Sequence, residues 1–265
     1  MKTIYTREDV LAAIDSNEPL ADCDLSGIDL SGADLSGGSF ERVCLNGANL
    51  SGTNLTNTTF IVCEREQANL SECHMDNASF LLCGMTLGSL QKCSIDNSSF
   101  SHCHLSFALF EECCIDRSSF LKCGMKKLLF SECSLNKTSF SGCGMVESNI
   151  IECMNLTNCS FADCNMELIT IEESCLIDTT FSHCELFEAT FSEGKLKNTI
   201  FKFCGMAGID LSKQKLGNTV FSYCNINSAN LSEANLENAS FMYCNITKTI
   251  LQEKEKLNRI WEPFR

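Results

Sequence analysis

Large apolar residues recur at every fifth position along most of the sequence. The series runs from Leu25 to Ile150 and, after one inserted residue near Met154–Asn155, from Leu156 to Leu251. An α-helix needs a period of about 3.6 residues and a flat β-strand a period of about 2. A period of five fits neither. It fits a chain that turns a corner every five residues and points one large and one small residue inward on each side.

A second period, of twenty residues, lies within the first. Once the insertion is allowed for, the large residue at every twentieth position is phenylalanine, eleven times in a row: Phe40, Phe60, Phe80, Phe100, Phe120, Phe140, Phe161, Phe181, Phe201, Phe221 and Phe241. Such a column is expected when four sides close one coil and each coil lies on the previous one. With coils spaced like neighbouring strands, about 4.8 Å apart, about eleven to twelve coils make a rod roughly 50–55 Å long.

Several five-residue segments resemble the A(D/N)Lxx signature of pentapeptide-repeat proteins. These segments are ADLSG at 33–37, ANLSG at 48–52, and ANLSE at 68–72 and 229–233. The resemblance covers residues 21–251. It implies an all-β solenoid, namely a right-handed quadrilateral β-helix with four pentapeptides in each coil.

The repeats in 21–251 are interpreted as one domain with a short helical segment at each end. In residues 1–20, Thr6 and Asp9 form a helix-start pattern that predicts a helical cap over residues 7–15. Residues 252–265 are predicted to form a helical tail whose apolar face consists of Leu257, Ile260, Trp261 and Phe264. The tail is either a cap over the open end of the solenoid or a homodimer contact. The dimer is implied by resemblance to gyrase-protecting pentapeptide proteins, which use a C-terminal helix in this way.

Seventeen of the twenty cysteines occupy the small inward position, which is open to three interpretations: a metal site, disulfides or core filling. Their spacing follows the coil, so four sulfurs do not converge on a tetrahedral metal, and parallel stacked side chains suit disulfides poorly. We therefore predict free thiols that act as small apolar filler in a reducing compartment, with no metal and no cofactor. The outward Cys44, Cys114 and Cys175 are predicted to be the reactive thiols.

Asparagine or glycine often stands two residues after the large inward residue, as at Asn57, Asn77 and Asn97. Both residue types tolerate the positive φ that a type II turn needs at its third residue. This edge is therefore predicted to consist mostly of type II turns, with a different turn type near Arg117 and Lys137.

The formal net charge of −14 disfavours direct binding of nucleic acid or anionic lipid. A protein partner with a basic surface fits better, and charge that only keeps the chain soluble is the alternative. The N-terminus lacks the apolar core of a secretory signal, and no run of about 18 apolar residues predicts a membrane span. A bacterial cytoplasmic protein is the expectation, with signal-independent export left open.

Two opposite faces of the predicted coil have distinctive outward residues. One face is rich in glutamate: Glu72, Glu111, Glu112, Glu132, Glu152, Glu172, Glu173, Glu193 and Glu233. The other is apolar in two regions, with Leu81 and Leu82 in the first and Phe203, Tyr223 and Tyr243 in the second. Stacked like charges destabilise a sheet, and exposed apolar patches mark contacts, so both faces are candidate protein-binding sites. Sequence drift on an unconstrained surface is the alternative.

A non-catalytic protein-binding scaffold or adaptor is the function that these faces favour. Residues 6–37 are also similar to the N-terminal stretch of pentapeptide-repeat proteins found alongside bacterial type VI secretion components, which implies a secretion-associated scaffold. The alternative is an acidic DNA mimic that binds a type II topoisomerase, as the gyrase-protecting members imply. The nine face glutamates span roughly 40 Å, however, over which duplex DNA carries more than about twenty charges.

Catalysis is not expected. The four histidines, His74, His102, His104 and His183, fall at outward positions, and the sequence contains no nucleophile elbow, P-loop or dinucleotide-binding motif. No catalytic, cofactor-binding or metal-binding residue is therefore predicted.

Overall fold

A computed structural model describes residues 5–64, 67–251 and 261–262 of the chain. The chain divides into two compact units, Met1–Cys133 and Ser134–Arg265, which we call the N-terminal and C-terminal units. Each unit is a parallel β-solenoid in which short strands alternate with turns.

The N-terminal unit begins with a helix, α1, that spans Arg7–Asp15. Thr6 and Asp9 form a capping box: the Asp9 amide donates to Thr6 Oγ1 at 3.2 Å, and the Thr6 amide donates to Asp9 Oδ2 at 2.8 Å. On the inner side of the helix, Ile14 packs closely against Gly38, which has no Cβ to obstruct it. The helix predicted over residues 7–15 is confirmed.

The described strands of the N-terminal unit lie in two parallel sheets. They are β1 (Leu20–Ala21), β2 (Ser39–Glu41), β3 (Thr59–Ile61), β4 (Ser79–Leu81), β5 (Ser89–Gln91), β6 (Ser99–Ser101), β7 (Leu109–Glu111), β8 (Ser119–Leu121) and β9 (Leu129–Ser131). One sheet contains β1, β2, β3, β4, β6 and β8. The other contains β5, β7 and β9. Phe40 pairs with Phe60, and Leu90 with Phe110, so one coil is twenty residues long.

The described strands of the C-terminal unit repeat this arrangement. They are β10 (Ser139–Ser141), β11 (Asn149–Ile151), β12 (Ser160–Ala162), β13 (Thr170–Glu172), β14 (Thr180–Ser182), β15 (Thr190–Ser192), β16 (Ile200–Lys202), β17 (Val220–Ser222), β18 (Ser240–Met242) and β19 (Trp261–Glu262). One sheet contains β10, β12, β14, β16, β17, β18 and β19. The other contains β11, β13 and β15.

The inserted residue is Met154. Across it the pairing step rises to twenty-one residues, so that Phe140 pairs with Phe161 and Ser134 with Asn155. The Met154 side chain is 68% exposed, whereas Cys153 before it remains buried. The extra residue therefore bulges outward and leaves the inward pattern intact, as a β-bulge does.

Trp261 corrects the prediction of a helical tail. It lies in β19, where its backbone pairs in parallel with Phe241 of β18. Trp261 stands twenty residues after Phe241, so its pairing follows the twenty-residue step of the earlier coils. Leu257, Ile260 and Phe264 lie outside the described residues, and a dimer through the tail stays a prediction.

The phenylalanine column is confirmed within each unit. From Phe40 to Phe120, and again from Phe140 to Phe241, successive rings are stacked with centroids 4.6–5.2 Å apart. Isolated aromatic pairs favour offset or edge-to-face contacts. The parallel stack therefore reflects the register that the backbone hydrogen bonds impose on successive coils.

Cysteines fill much of the core beside the large apolar residues. Sixteen of the twenty are buried. A buried thiol donates to a carbonyl oxygen of the preceding coil, as Cys93 Sγ does to Leu70 O at 2.9 Å and Cys113 Sγ does to Leu90 O at 3.0 Å. The predicted cysteine-rich core is confirmed, and its thiols serve both as filler and as weak donors.

The corners adopt left-handed backbone whether or not the residue is asparagine or glycine. φ is +59° at Asn57 and also +59° at Arg117 and Lys137. At Lys137 the Thr138 amide closes the turn by donating to Leu135 O at 3.0 Å. The prediction of a different turn near Arg117 and Lys137 is therefore wrong. Hydrogen bonds to the neighbouring coil fix each corner and offset the roughly 1–2 kcal/mol that a left-handed residue costs.

Candidate protein-binding faces

In the N-terminal unit, three of the four predicted face glutamates lie at one turn of the coil. Glu72, Glu112 and Glu132 have φ of +61°, +53° and +53°, and their side chains are exposed. Lys92 occupies the same turn in the coil between Glu72 and Glu112, and its Nζ lies 3.9 Å from Glu112 Oε1. This stretch of the face is acidic but partly neutralised.

Three consecutive coils of the C-terminal unit carry glutamate at the corresponding turn. Glu152, Glu173 and Glu193 have φ of +54°, +47° and +50°, and all three are exposed. Lys213 and Glu233 follow, each with φ of +60°. The preceding strands β11, β13 and β15 pair in register, so successive carboxylates stand one coil apart, about 4.8 Å along the backbone. Like charges at this spacing repel, and a cationic partner would relieve that repulsion.

Two of the predicted face residues lie in strands. Glu111 ends β7 and Glu172 ends β13, and both are half-buried. Glu111 Oε2 accepts a hydrogen bond from Gln91 Nε2 at 2.6 Å. Glu111 and Glu172 therefore sit beside the turn glutamates, and Glu111 is held against its own sheet.

The apolar residues predicted in the N-terminal unit are exposed. Leu81 ends β4 and is 38% exposed, and Leu82 in the following turn is 51% exposed. Leu87 and Phe107 lie at the next corner of the coil. Leu87 is 58% exposed, which is more than Leu82, and Phe107 is 50% exposed, which is about the same as Leu82. Sequence reasoning missed these two residues. A comparison of equivalent residues at twenty-residue steps would have identified them. Gly47 occupies the same turn two coils before Leu87, so an apolar side chain has replaced the glycine that this turn favours.

In the C-terminal unit, aromatic rings at the surface form a ladder, in which Tyr243 is half-buried and the other three rings are exposed. His183, Phe203, Tyr223 and Tyr243 follow one another at one turn of successive coils, with neighbouring ring centroids 4.9 Å apart. Lys202 Nζ lies 5.3 Å from the centroid of Phe203, within reach of a cation–π contact. The prediction named the last three rings and missed His183, which the twenty-residue step also identifies. Leu81 and Leu82, the other residues of the predicted apolar patch, belong to the N-terminal unit.

Cys114 corrects the prediction of reactive outward thiols. It is half-buried, and burial together with a hydrogen bond to Asp96 Oδ1, 3.1 Å away, raises the pKa of Cys114 to about 11. The thiolate is the reactive form, so this thiol is unreactive near neutral pH. Cys44 and Cys175 are half-buried as well, and their reactivity stays a prediction.

Over residues 5–64 and 67–251, no three or more His, Cys, Asp or Glu side chains are placed to hold a metal ion. In the described part of the chain, no helix has both the length and the apolar character needed to cross a membrane.

A family model described as pentapeptide repeats matches residues 20–60, 206–241 and 219–253, so that both units contain matched segments. No curated protein sequence matches the chain significantly.

Solved structures with the same repeat are similar. HetL, a pentapeptide repeat protein involved in heterocyst differentiation regulation in the cyanobacterium Nostoc sp. strain PCC 7120, is 15% identical, with a TM-score of 0.56 over 92% of this chain and 98% of HetL. QnrB1, a plasmid-mediated fluoroquinolone resistance protein, is 14% identical over 80% of this chain and 92% of its own, with a TM-score of 0.34. A pentapeptide repeat protein of the Arabidopsis thaliana thylakoid lumen is 18% identical over 53% and 73%, with a TM-score of 0.20.

Only the HetL likeness bears on the fold, since the other two TM-scores are low, and at 15% identity it bears on the fold alone. It agrees with the twenty-residue parallel coils of both units. The family-model matches show pentapeptide repeats at residues 20–60 and 206–253, and the coils of both units have the fold of a pentapeptide-repeat β-helix.

Proposed function

We propose that the protein is a non-catalytic scaffold that binds a protein partner with a basic surface through its turn glutamates. The turn glutamates are Glu72, Glu112, Glu132, Glu152, Glu173, Glu193 and Glu233. Glu111 and Glu172 flank them from the adjoining strands. A secretion-associated role, which the likeness of residues 6–37 suggests, is one setting for such a scaffold.

The observation that carries this proposal is the position of the turn glutamates. In the first coils the same turn is held by Gly32 and Gly52, with φ of +63° and +66°. A residue with a Cβ costs roughly 1–2 kcal/mol in this backbone region, and glycine avoids that cost. Glutamates in register add electrostatic repulsion. Neither core packing nor turn preference favours them, so a contact with cationic groups is the interpretation that accounts for their recurrence.

Charge reversal in the C-terminal unit tests the proposal. We expect the triple variant Glu152→Lys/Glu173→Lys/Glu193→Lys to bind an extended Lys-Ser dodecapeptide at least about tenfold more weakly than the unmodified protein, because attraction becomes repulsion. The dissociation constant is measured by isothermal titration calorimetry, at low salt and again at about 0.5 M salt, where screening should weaken the unmodified complex.

A second triple variant controls for net charge. Glu185→Lys/Glu188→Lys/Glu237→Lys changes the formal charge by the same amount at exposed positions of the same unit that lie off the glutamate turn. We expect this variant to retain peptide affinity within about twofold or threefold, since distant exposed charges are screened. Equal loss in both variants would show that only net charge attracts the peptide, and the turn glutamates would then be solubilising residues.

The alternative function, topoisomerase binding by DNA mimicry, is separable by a supercoiling assay. Lys92 and Lys213 interrupt the glutamate turn in both units, and a phosphate backbone has no such cations. We therefore expect micromolar protein to leave gyrase supercoiling and its fluoroquinolone poisoning unchanged. Inhibition of supercoiling that the Glu152→Lys/Glu173→Lys/Glu193→Lys variant abolishes would favour mimicry instead.

A further inference from the structure

One surface of the N-terminal unit has the opposite chemistry to the turn glutamates. Residues 81–87, 101–107 and 121–127 form three successive coil segments, and we call their outward surface the basic apolar face. In a chain with 34 acidic residues, these segments contain three lysines, two histidines and neither aspartate nor glutamate. Glu64, in the preceding coil, pairs with Gly84 and marks one margin of the face.

The basic apolar face is recessed along its middle. Gly84, His104 and Gly124 pair in sequence along one column between two corners. A Cβ at Gly84 would meet nothing within 4 Å, and one at Gly124 would lie 3.7 Å from His104 Nδ1. Leu82 borders this column on one corner and Leu87 on the other, at 51% and 58% exposed. Gly84 and Gly124 therefore make two parts of the floor of a shallow trough, the exposed His104 side chain stands between them, and leucines stand on both sides of the trough.

The large side chains on this border are not explained by folding. Leu87 and Phe107 occupy a turn that Gly27 and Gly47 hold in earlier coils, and both have φ of +59°. Left-handed backbone disfavours bulky residues, and half or more of each side chain faces solvent. Exposed apolar side chains in a strained conformation, next to a recess, are features of contact surfaces.

We propose that the basic apolar face is a second docking site, which takes an acidic segment of a protein partner that also carries apolar side chains. The apolar side chains of that segment would contact Leu82, Leu87 and Phe107 across the glycine floor. Its carboxylates would face Lys122 and His102 on the rim, which are exposed. This site goes beyond the proposed function, because it uses other residues and the opposite charge.

A protein segment suits the face better than the other anionic partners. Three lysines neutralise few phosphates, and the leucines would gain nothing from a nucleic-acid backbone. An anionic membrane would be repelled by the chain's net charge of −14. A narrow segment can lie in the trough without approaching the acidic surfaces, as extended peptides do in grooves.

The test uses a fluorescein-labelled dodecapeptide in which Asp alternates with Leu and Phe, followed by fluorescence anisotropy with the full chain. We expect this acidic peptide to bind, and its Asn-for-Asp counterpart to bind at least about tenfold more weakly. Binding should also weaken by a similar factor between about 0.05 and 0.5 M salt.

Two variants locate the site. Leu87→Asn/Phe107→Asn removes the apolar border with a residue that tolerates left-handed backbone, so the fold is kept, and Lys122→Glu reverses the rim. Each is expected to weaken peptide binding at least about tenfold. The matched control is Leu168→Asn, at the same turn in the C-terminal unit, with φ of +58° and 46% exposure, which should change affinity less than about twofold.

The proposal and the proposed function fail separately. The Glu152→Lys/Glu173→Lys/Glu193→Lys variant should retain acidic-peptide binding while it loses the Lys-Ser peptide. Unchanged affinity in Leu87→Asn/Phe107→Asn, or equal binding of the Asn counterpart, overturns the docking site. Binding to phosphatidylglycerol vesicles without peptide binding would assign the face to a membrane. A concentration-dependent dimer in sedimentation velocity that Leu87→Asn/Phe107→Asn abolishes would assign it to a second copy of the chain.

Discussion

Raising the pH from neutral to about 10.5 is expected to unfold the protein cooperatively, because its core is built on protonated thiols. Sixteen cysteines are buried. A hydrogen bond with the Cys143 thiol and burial raise the pKa of Cys164 to about 12, although the hydrogen bond with the Cys184 thiol acts to lower it. Contacts with the thiols of Cys113 and Cys73, followed by burial, raise the pKa of Cys93 as well. A thiol in the unfolded chain has a pKa of about 8.5.

The sign of the effect follows from these pKa values. Below about pH 8.5 the thiols with raised pKa values keep their protons in both the folded and the unfolded state, and they cause no pH dependence there. Above it, the unfolded chain loses protons that the folded chain keeps, and stability falls by up to about 1.4 kcal/mol per pH unit for each such thiol. The loss continues until the folded pKa, about 12 for Cys164, is reached. Two pH units above about 8.5, the five buried thiols with raised pKa values together cost up to about 14 kcal/mol, which is comparable with the 5–15 kcal/mol typical of a folded domain, so the midpoint should fall between about pH 9 and 10.5.

Circular dichroism under reducing conditions gives the unfolding midpoint, and thiolate absorbance near 240 nm gives the ionised fraction. The two signals should change together, since a thiol ionises only when its coil opens. A return to pH 7 within minutes should restore the β signal if no disulfide has formed. Ionisation of most thiols near pH 9 with the β signal intact would contradict the prediction, because the core would then tolerate thiolates.

Phe100→Ala is expected to lower the free energy of unfolding by about 3–5 kcal/mol. The Phe100 ring is 1% exposed and stacks on Phe80 and Phe120 with centroids 4.6 and 4.8 Å away. Its removal leaves a cavity between two rings that the paired coils hold apart, so the neighbours cannot close the gap. Urea unfolding followed by circular dichroism measures the loss.

Phe107 supplies the matched control from the same coil. It is 50% exposed, so Phe107→Ala should change the unfolding free energy by less than about 1 kcal/mol. A loss below about 1 kcal/mol for Phe100→Ala would show that adjacent coils collapse into the gap, and that the stack is held less rigidly than its spacing indicates.

The five-residue and twenty-residue periods together suffice to predict the coil length, the inward residues and the phenylalanine column, since burial alone determines all three. It does not predict the corners. Arg117 and Lys137 lack the local preference for left-handed backbone, yet adjacent coils impose it on them. Trp261 shows the same limit: four apolar residues at helical spacing predict a helix, whereas the pairing of Trp261 with Phe241 depends on a residue twenty positions away.

The candidate faces are predictable in composition but not in detail. Glu111 and Glu112 are adjacent in sequence but differ in the structure. Glu111 lies in a strand and accepts a hydrogen bond from Gln91 of the same sheet, whereas Glu112 is an exposed turn residue. Leu87 and Phe107 carry no local signal, because a single apolar residue among polar ones is ordinary. Their significance comes from the glycines at the same turn in other coils, and only alignment by coil reveals it.

Left-handed backbone at the corners has a consequence for how the chain is synthesised. An isolated coil lacks the neighbour whose hydrogen bonds hold corners such as Arg117 in place, so it has little tendency to form alone. Helix α1 differs, because its capping box is satisfied within residues 6–9. As the ribosome releases the chain, α1 can order first. Each emerging coil of the N-terminal unit can then form its backbone hydrogen bonds with the exposed edge of the coil that folded before it. Growth from one end, coil upon coil, is the folding order that this backbone favours.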